Sequence, residues 1–165
     1  MDLTSTILTA AKMAHIYGAL LLAVCSYESS DFKMNYNPND KGTPSHGICQ
    51  LKESTARLVG FKGKTKDLMR PEVNAYYSGL YLKYQLQRYE NNYCKAIAAY
   101  NAGSFIESEK FPTYPKNYTY VKRVKNKASK DLQKQITCGS VFVRDWYENC
   151  KTYQEDVGFR SSGST

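Results

Sequence analysis

The sequence predicts one mainly α-helical domain over residues 1–165, with at most a short β-hairpin in the loop that follows Glu28. Three observations carry that prediction. Apolar residues recur at helical spacing along most of the chain, as in Val73, Tyr76-Tyr77, Leu80 and Tyr84. With 165 residues and 42% hydrophobic content, the chain suits a single core of real size. Turn-forming composition is concentrated in two long segments, 31–47 and 104–115, and neither resembles a domain boundary.

The elements follow in order. Residues 3–16 set Leu3, Ile7, Leu8, Ala11 and Ala14 at helical spacing, with Asp2 and Thr4 as candidate caps. Gly18 interrupts lightly, and a second helix runs to about Ser29. Segment 31–47 turns to Asn, Asp, Pro, Gly, Lys and Ser, with turn chemistry at Asn37-Pro38-Asn39-Asp40 and Lys41-Gly42. A loop this long inside a small domain is often functional. It leads into Gly47-Ile48-Cys49-Gln50-Leu51. A short helix over 52–59 stops at Gly60, and 62–68 reads as a basic linker. Pro71 suits the first position of the longest helix, which runs to about Tyr89 and breaks at Asn91-Asn92. Another apolar helix, 94–100, ends at Asn101-Ala102-Gly103, where the glycine can take a left-handed cap. Segment 118–135 reads as one basic helix. Beyond it, 140–150 offers Val141, Val143 and Trp146 for packing, and the tail from 158 reads as frayed.

Charge and cysteine usage narrow the classes. The net charge is +8, from 23 basic and 15 acidic residues, densest in basic character between 116 and 134. Such a surplus suits anionic partners: nucleic acid, lipid headgroups or the acidic polymers of a bacterial envelope. Most of these side chains read as a solvated helix face. No run of 18 or more apolar residues exists to span a membrane. Segment 16–24 superficially resembles the apolar part of an export signal. Against that, the leader begins with Asp2, Val24 stands where a small residue is wanted, and cleavage would sever the helix carrying Glu28. Five cysteines leave at least one unpaired, and two histidines with no Cys-x-x-Cys pair argue against a zinc site. Cys25, Cys49 and Cys94 read as small buried hydrophobes. Cys138 and Cys150 could bridge if the protein works in an oxidising compartment, and spacing alone leaves that open. The phosphate loop and the dinucleotide fingerprint are both missing, and neither His15 nor His46 has a motif that would activate a serine.

One carboxylate stands out. The apolar run 19–24 leads directly into Glu28, and in a helix Leu20, Val24 and Glu28 share one stripe. Burial there disfavours the charged form, and so does the negative end of the helix dipole. Glu28 is therefore a candidate general acid that stays protonated near neutral pH. Taken alone, the stretch reads as a solvated glutamate closing a helix, so other segments must decide.

Those segments exist. Glu28-Ser29, Gly47-Ile48-Cys49-Gln50, Ala99-Tyr100-Asn101-Ala102-Gly103 and Tyr120-Val121-Lys122-Arg123-Val124 occur in order, and Arg70-Pro71-Glu72-Val73-Asn74 opens the long helix. In order and approximate spacing this set resembles the soluble lytic transglycosylase (SLT) domain, with its Glu-Ser pair, Gly-Leu-Met-Gln, Ala-Tyr-Asn-Ala-Gly, late Tyr-Val element and Asp-Pro-Glu-x-Asn. The resemblance covers about residues 15–126 and leaves 127–165 as an extension. It implies a lysozyme-like helical fold that cuts the β-1,4 bond between N-acetylmuramic acid and N-acetylglucosamine in peptidoglycan, typically leaving a 1,6-anhydromuramoyl end.

Site roles follow from the same resemblance. Glu28 would be acid and then base, and Tyr120 would hydrogen-bond it and hold its protonation state. Ser29, Gln50 and Asn101 would contact the sugar. Tyr100 would pack beneath Asn101, with sugar contact as its lesser role. Neither a cofactor nor a metal is implied. The partners expected are peptidoglycan strands and an anionic envelope surface, with no nucleic acid, for a monomer. Among acidic residues near these motifs, Asp31, Asp40 and Glu53 sit in no recognisable second-carboxylate motif, and Asp31 reads as a turn residue. A single carboxylate favours an internal nucleophile over an activated water. A muramidase of the same fold is the alternative, and a basic nucleic-acid-binding module a remote one. Ile48 and Cys49 replace Leu and Met as apolar swaps, whereas His46 before the glycine is a departure. Segment 140–157, with Trp146, Tyr147 and Tyr153, reads as a capping helix or an extra wall-binding surface. A short basic lytic domain without a convincing export signal suits a phage endolysin, made in the host cytoplasm and released to the periplasm through a holin, or a virion-associated lysin.

Overall fold

The computed structural model describes residues 2–139. Helix α1 (Leu3–Ala14) is capped by Asp2, whose carboxylate accepts from Ser5 N at 3.0 Å, and it ends at His15 in the left-handed conformation. Helix α2 (Gly18–Glu28) starts at Gly18 rather than being interrupted there. A Cβ at that position would lie 2.9 Å from Leu8 Cδ2, so the glycine permits close packing of α1 on α2. Leu20, Leu21, Val24 and Cys25 on α2 are fully buried, and Glu28 is the last helical residue.

The loop after Glu28 builds more than a hairpin. Strands β1 (Tyr36–Asp40), β2 (Thr43–His46) and β3 (Leu51–Lys52) form an antiparallel sheet in that order, with Tyr36 opposite His46 and Ser45 opposite Lys52. Its ladder is irregular between Asn37 and Asp40, where Pro38 can donate no hydrogen bond. The third strand is only two residues long, too short to show any alternation in sequence. Helix α3 (Glu53–Leu58) follows. The expected basic linker contains a 3-10 helix, Thr65–Met69, in whose first turn the Asp67 carboxylate accepts from Lys64 N at 2.9 Å.

Helix α4 (Pro71–Arg88) is the central element and packs against α1 and α5 (Tyr93–Ala102). Asn92 caps α5 by accepting from Lys95 N, and Gly103 closes it. The basic segment 118–135 is two helices, α6 (Tyr118–Lys127) and α7 (Lys130–Gln135). Ala128 takes an extended conformation and the Ser129 hydroxyl caps α7, a break that helical spacing alone does not reveal. The core gathers Ile7, Leu20, Leu21, Leu51, Leu68, Leu82, Ile97, Val121 and Leu132 into one cluster. No described helix is long and apolar enough to cross a membrane.

The cysteine reading is corrected. Cys25 bonds Cys49 and Cys94 bonds Cys138. Cys25, Cys49 and Cys94 are buried as expected, but as half-cystines rather than free thiols. Cys138 is thereby taken from Cys150, which lies outside the described residues, as does the segment 140–157 with Trp146, Tyr147 and Tyr153. Spacing along the chain could not show that α2 lies against the turn before Gln50, nor that the start of α5 lies against residue 138.

Candidate functional site

Glu28 ends α2 because the three residues after Ser29 leave helical space: Ser30, Asp31 and Phe32 all have positive φ (51°, 57° and 66°). Left-handed conformations cost non-glycine residues roughly 1–2 kcal/mol each, so something must hold the turn. Ser29 does. Its hydroxyl, fully buried, donates to Cys25 O at 2.8 Å and accepts from Phe32 N at 3.0 Å, while its carbonyl accepts from Lys33 N and Met34 N. Asp31 is carried onto α6, where its carboxylate pairs with Lys127 Nζ at 2.6 Å. It is the turn residue expected, and an ion-pair partner besides.

The Glu28 carboxylate faces a cleft of about 370 Å³. One wall is the sheet, with Asn37, Asp40, Lys41, Ser45 and Lys52; the other is the end of α5, with Tyr100 and Asn101. Tyr120 on α6 donates its phenol to Glu28 Oε1 at 2.6 Å. Tyr27 braces the Tyr120 ring edge-on, the centroids 5.3 Å apart. Burial pushes the Glu28 carboxyl from 4.5 to about 7; the Tyr120 bond opposes that rise, the charge of Asp40 adds to it, and Lys41 opposes it. Burial, reinforced by the neighbouring Glu28, holds the Tyr120 phenol well above its ordinary value, so it is a neutral donor wherever Glu28 titrates.

Gln50 lies in the cleft with φ 49°, its side chain held by Ser45 Oγ, which donates to Oε1 at 2.8 Å, and by its own donation to Gly47 O. Gly47 has φ 71°, and a Cβ there would lie 2.4 Å from the Asn74 side chain and 2.6 Å from Leu68 O, so no other residue fits. Tyr100 donates to Cys49 O at 3.1 Å and stacks at a tilt on Tyr81, and burial raises its phenol as well. Asn101 Oδ1 accepts from Asn117 Nδ2 at 3.2 Å and from Lys41 Nζ at 3.4 Å.

The fold thus brings Glu28, Tyr120, Gln50, Tyr100 and Asn101 together. Ser29 stays beneath the surface, at the turn. Three contributions escaped the sequence reading. Asn74, fully buried on α4, donates to His46 O and Leu68 O and accepts from Cys49 N at 2.8 Å, fastening the Gly47–Gln50 turn to the long helix. The available signal was its place as the asparagine of the Arg70-Pro71-Glu72-Val73-Asn74 segment, since the apolar stripe of Val73, Tyr76-Tyr77, Leu80 and Tyr84 does not include it. The Cys25–Cys49 bond joins the helix of Glu28 to the turn of Gln50, three residues before one and one before the other. Asp40, without a motif to mark it, enters the cleft on the hairpin, paired with Lys52 at 3.6 Å. Among the described residues no group of three or more histidine, cysteine, aspartate or glutamate side chains is arranged to hold a metal.

Comparison with known proteins agrees with this geometry. The family model for the transglycosylase SLT domain matches residues 5–123, a span that starts within α1, earlier than residue 15, and ends in α6. Among solved structures, the chain is similar to the lytic transglycosylase Slt of Pseudomonas aeruginosa, determined by X-ray as an inactive mutant. The TM-score is 0.53 and the identity 26%, over 60% of this chain and 16% of that one. The similarity therefore spans a small part of that protein's length.

Proposed function

The chain belongs to the transglycosylase SLT domain family, and we propose that it is a peptidoglycan lytic transglycosylase. It cleaves the β-1,4 bond between N-acetylmuramic acid and N-acetylglucosamine and closes the muramoyl end into a 1,6-anhydro ring. The observation that carries this reading is the pairing of a carboxyl held near 7 with a buried phenol 2.6 Å away, at the floor of an open cleft. Protonated Glu28 donates to the glycosidic oxygen as the C1–O bond breaks. The resulting carboxylate takes the proton of the same sugar's 6-hydroxyl as that oxygen bonds C1. No water is consumed, and Glu28 ends as it began, protonated.

Tyr120 steers the Glu28 carboxyl toward the cleft and steadies its charged form between the two steps. Gln50 and Asn101 offer amide groups to the sugars, and Tyr100 supports the turn that carries Gln50. The two disulfides favour work in an oxidising compartment such as the periplasm.

A muramidase is the second reading, and Asp40 is the observation that favours it. A second carboxylate whose charge acts on Glu28 is what water activation would need. Its pairing with Lys52 weighs the other way, because that ion pair engages the carboxylate a water would need. Mass spectrometry of digested murein decides between them: anhydro ends lack one water relative to reducing ends. Full lytic activity in Glu28→Gln would exclude both.

A further inference from the structure

Among the described residues that line the cleft, four side chains carry a carboxyl or an ammonium group, and three are accounted for. Glu28 is held by Tyr120, and Asp40 is paired with Lys52, whose ammonium also donates to Asp40 O at 2.6 Å. Lys41 is different. Its side chain lines the cleft, yet among the described residues it meets no carboxylate within ion-pair distance, only Asn101 Oδ1 at 3.4 Å. With Glu28 protonated, as the first step requires, the cleft therefore carries a surplus positive charge located at Lys41.

The hairpin is built to keep Lys41 there. Lys41 and Gly42 both have positive φ (54° and 87°), the pattern of a tight two-residue hairpin turn. Asn39 Oδ1 accepts from Gly42 N at 3.1 Å, and Asp40 is in register with Thr43. A non-glycine residue in left-handed conformation at the rim of a cleft, braced from both sides, is where strain tends to accompany function. The Lys41 ammonium also reaches from the hairpin to the far wall of the cleft at Asn101, which puts it within reach of a strand lying in the cleft.

We propose that Lys41 is a specificity-determining residue that binds a carboxylate carried by the glycan strand. This rests on the glycan reading above. The sugars and their N-acetyl groups are neutral, so the anion must come from the muramoyl side chain. In intact wall it is a carboxylate of the attached peptide. In strands stripped of peptide it is the lactyl carboxylate.

The test uses binding, so that it does not depend on turnover. Affinities for soluble strands are measured in the Glu28→Gln protein with and without Lys41→Met. That background also removes any influence of Lys41 on the charge of Glu28. Three ligands are compared: peptide-bearing strands, amidase-trimmed strands, and trimmed strands whose carboxylates are capped as methylamides. Lys41→Met is expected to weaken binding of at least one charged ligand about three- to fivefold, while the capped strands change less than twofold. Loss on peptide-bearing strands assigns the peptide carboxylate, and loss on trimmed strands assigns the lactyl group. Equal weakening on all three ligands, or none on any, overturns the proposal. Failure of the wild-type protein to cleave native strands is a separate result, which refutes the reaction and leaves the Lys41 comparison readable.

Discussion

Replacing Glu28 by Gln should stabilise the protein, and only above a certain pH. The carboxyl titrates at 4.5 when exposed and at about 7 in the fold, chiefly through burial. Below about pH 4.5 it is protonated in both states and the fold bears no penalty. Between 4.5 and 7 the folded state binds more protons than the unfolded one, so stability falls as pH rises. Above 7 the carboxylate is charged in both states, and the folded protein is disfavoured by up to about 3 kcal/mol. Contact of Glu28 with the open cleft reduces this to about 2–3 kcal/mol. Glutamine has nearly the same shape, carries no charge and keeps an oxygen for the Tyr120 phenol. Glu28→Gln is therefore expected to match the wild type near pH 4 and to exceed it by about 2–3 kcal/mol at pH 8, with Tm higher by several degrees. Urea unfolding followed by circular dichroism at pH 4, 6 and 8 measures this. A difference that stays constant with pH, or a variant less stable at pH 8, would refute the assignment of Glu28 as a buried, desolvated acid.

Three further outcomes follow from the same geometry. Tyr120→Phe removes a donor that favours the charged form of Glu28. The high-pH limb of the activity profile, where Glu28 loses its proton, should thus move upward by about one pH unit or more, while peak activity falls roughly tenfold; a downward move would contradict the bond's direction. Removing either disulfide frees a loop and should lower stability by about 3–4 kcal/mol. Activity per folded molecule should drop only for the Cys25/Cys49 double alanine variant, whose bridge touches the site, and remain for Cys94/Cys138, as turnover corrected for folded fraction would show. Asn74→Ala leaves Cys49 N, His46 O and Leu68 O without their partner. It should destabilise the fold by about 3 kcal/mol in chemical denaturation, since buried unpaired groups cost about 1–3 kcal/mol each.

Helices were legible in the sequence wherever their own residues held the signal. Pro71 and Asn91-Asn92 bracketed α4, and Asn101-Ala102-Gly103 closed α5. Elements defined by partners were not. β3 is a strand only because Ser45 and His46 lie beside it, and α6 separates from α7 through one serine hydroxyl. In the site, Glu28, Tyr120, Gln50, Tyr100 and Asn101 could be selected as motif members, but motifs describe residue types and not where side chains point. Ser29 stands beside Glu28 in sequence and below the cleft in space. The cysteines show the same limit, since burial was readable from their neighbours while pairing depended on which helices meet.

That limit bears on how the acid is tuned. The carboxylate nearest to Glu28 in sequence is Asp31, three residues on, and it could have set the pKa of Glu28 by repulsion. The left-handed run from Ser30 to Phe32 instead carries Asp31 to Lys127 on α6. The like charge that does act on Glu28 comes from Asp40, twelve residues along, delivered by the hairpin. The next residue on the same turn, Lys41, acts in the opposite sense. One hairpin tip therefore supplies both signs at the cleft, and Tyr120 adds a donor from the opposite side. Glu28 is left close to the midpoint of its titration near neutral pH, where giving a proton and taking one back are both near their easiest. The proposed reaction asks Glu28 to be acid and base in turn, and the balance that this needs arises chiefly from burial at the end of α2, set against the Tyr120 bond, with the two hairpin charges as smaller adjustments.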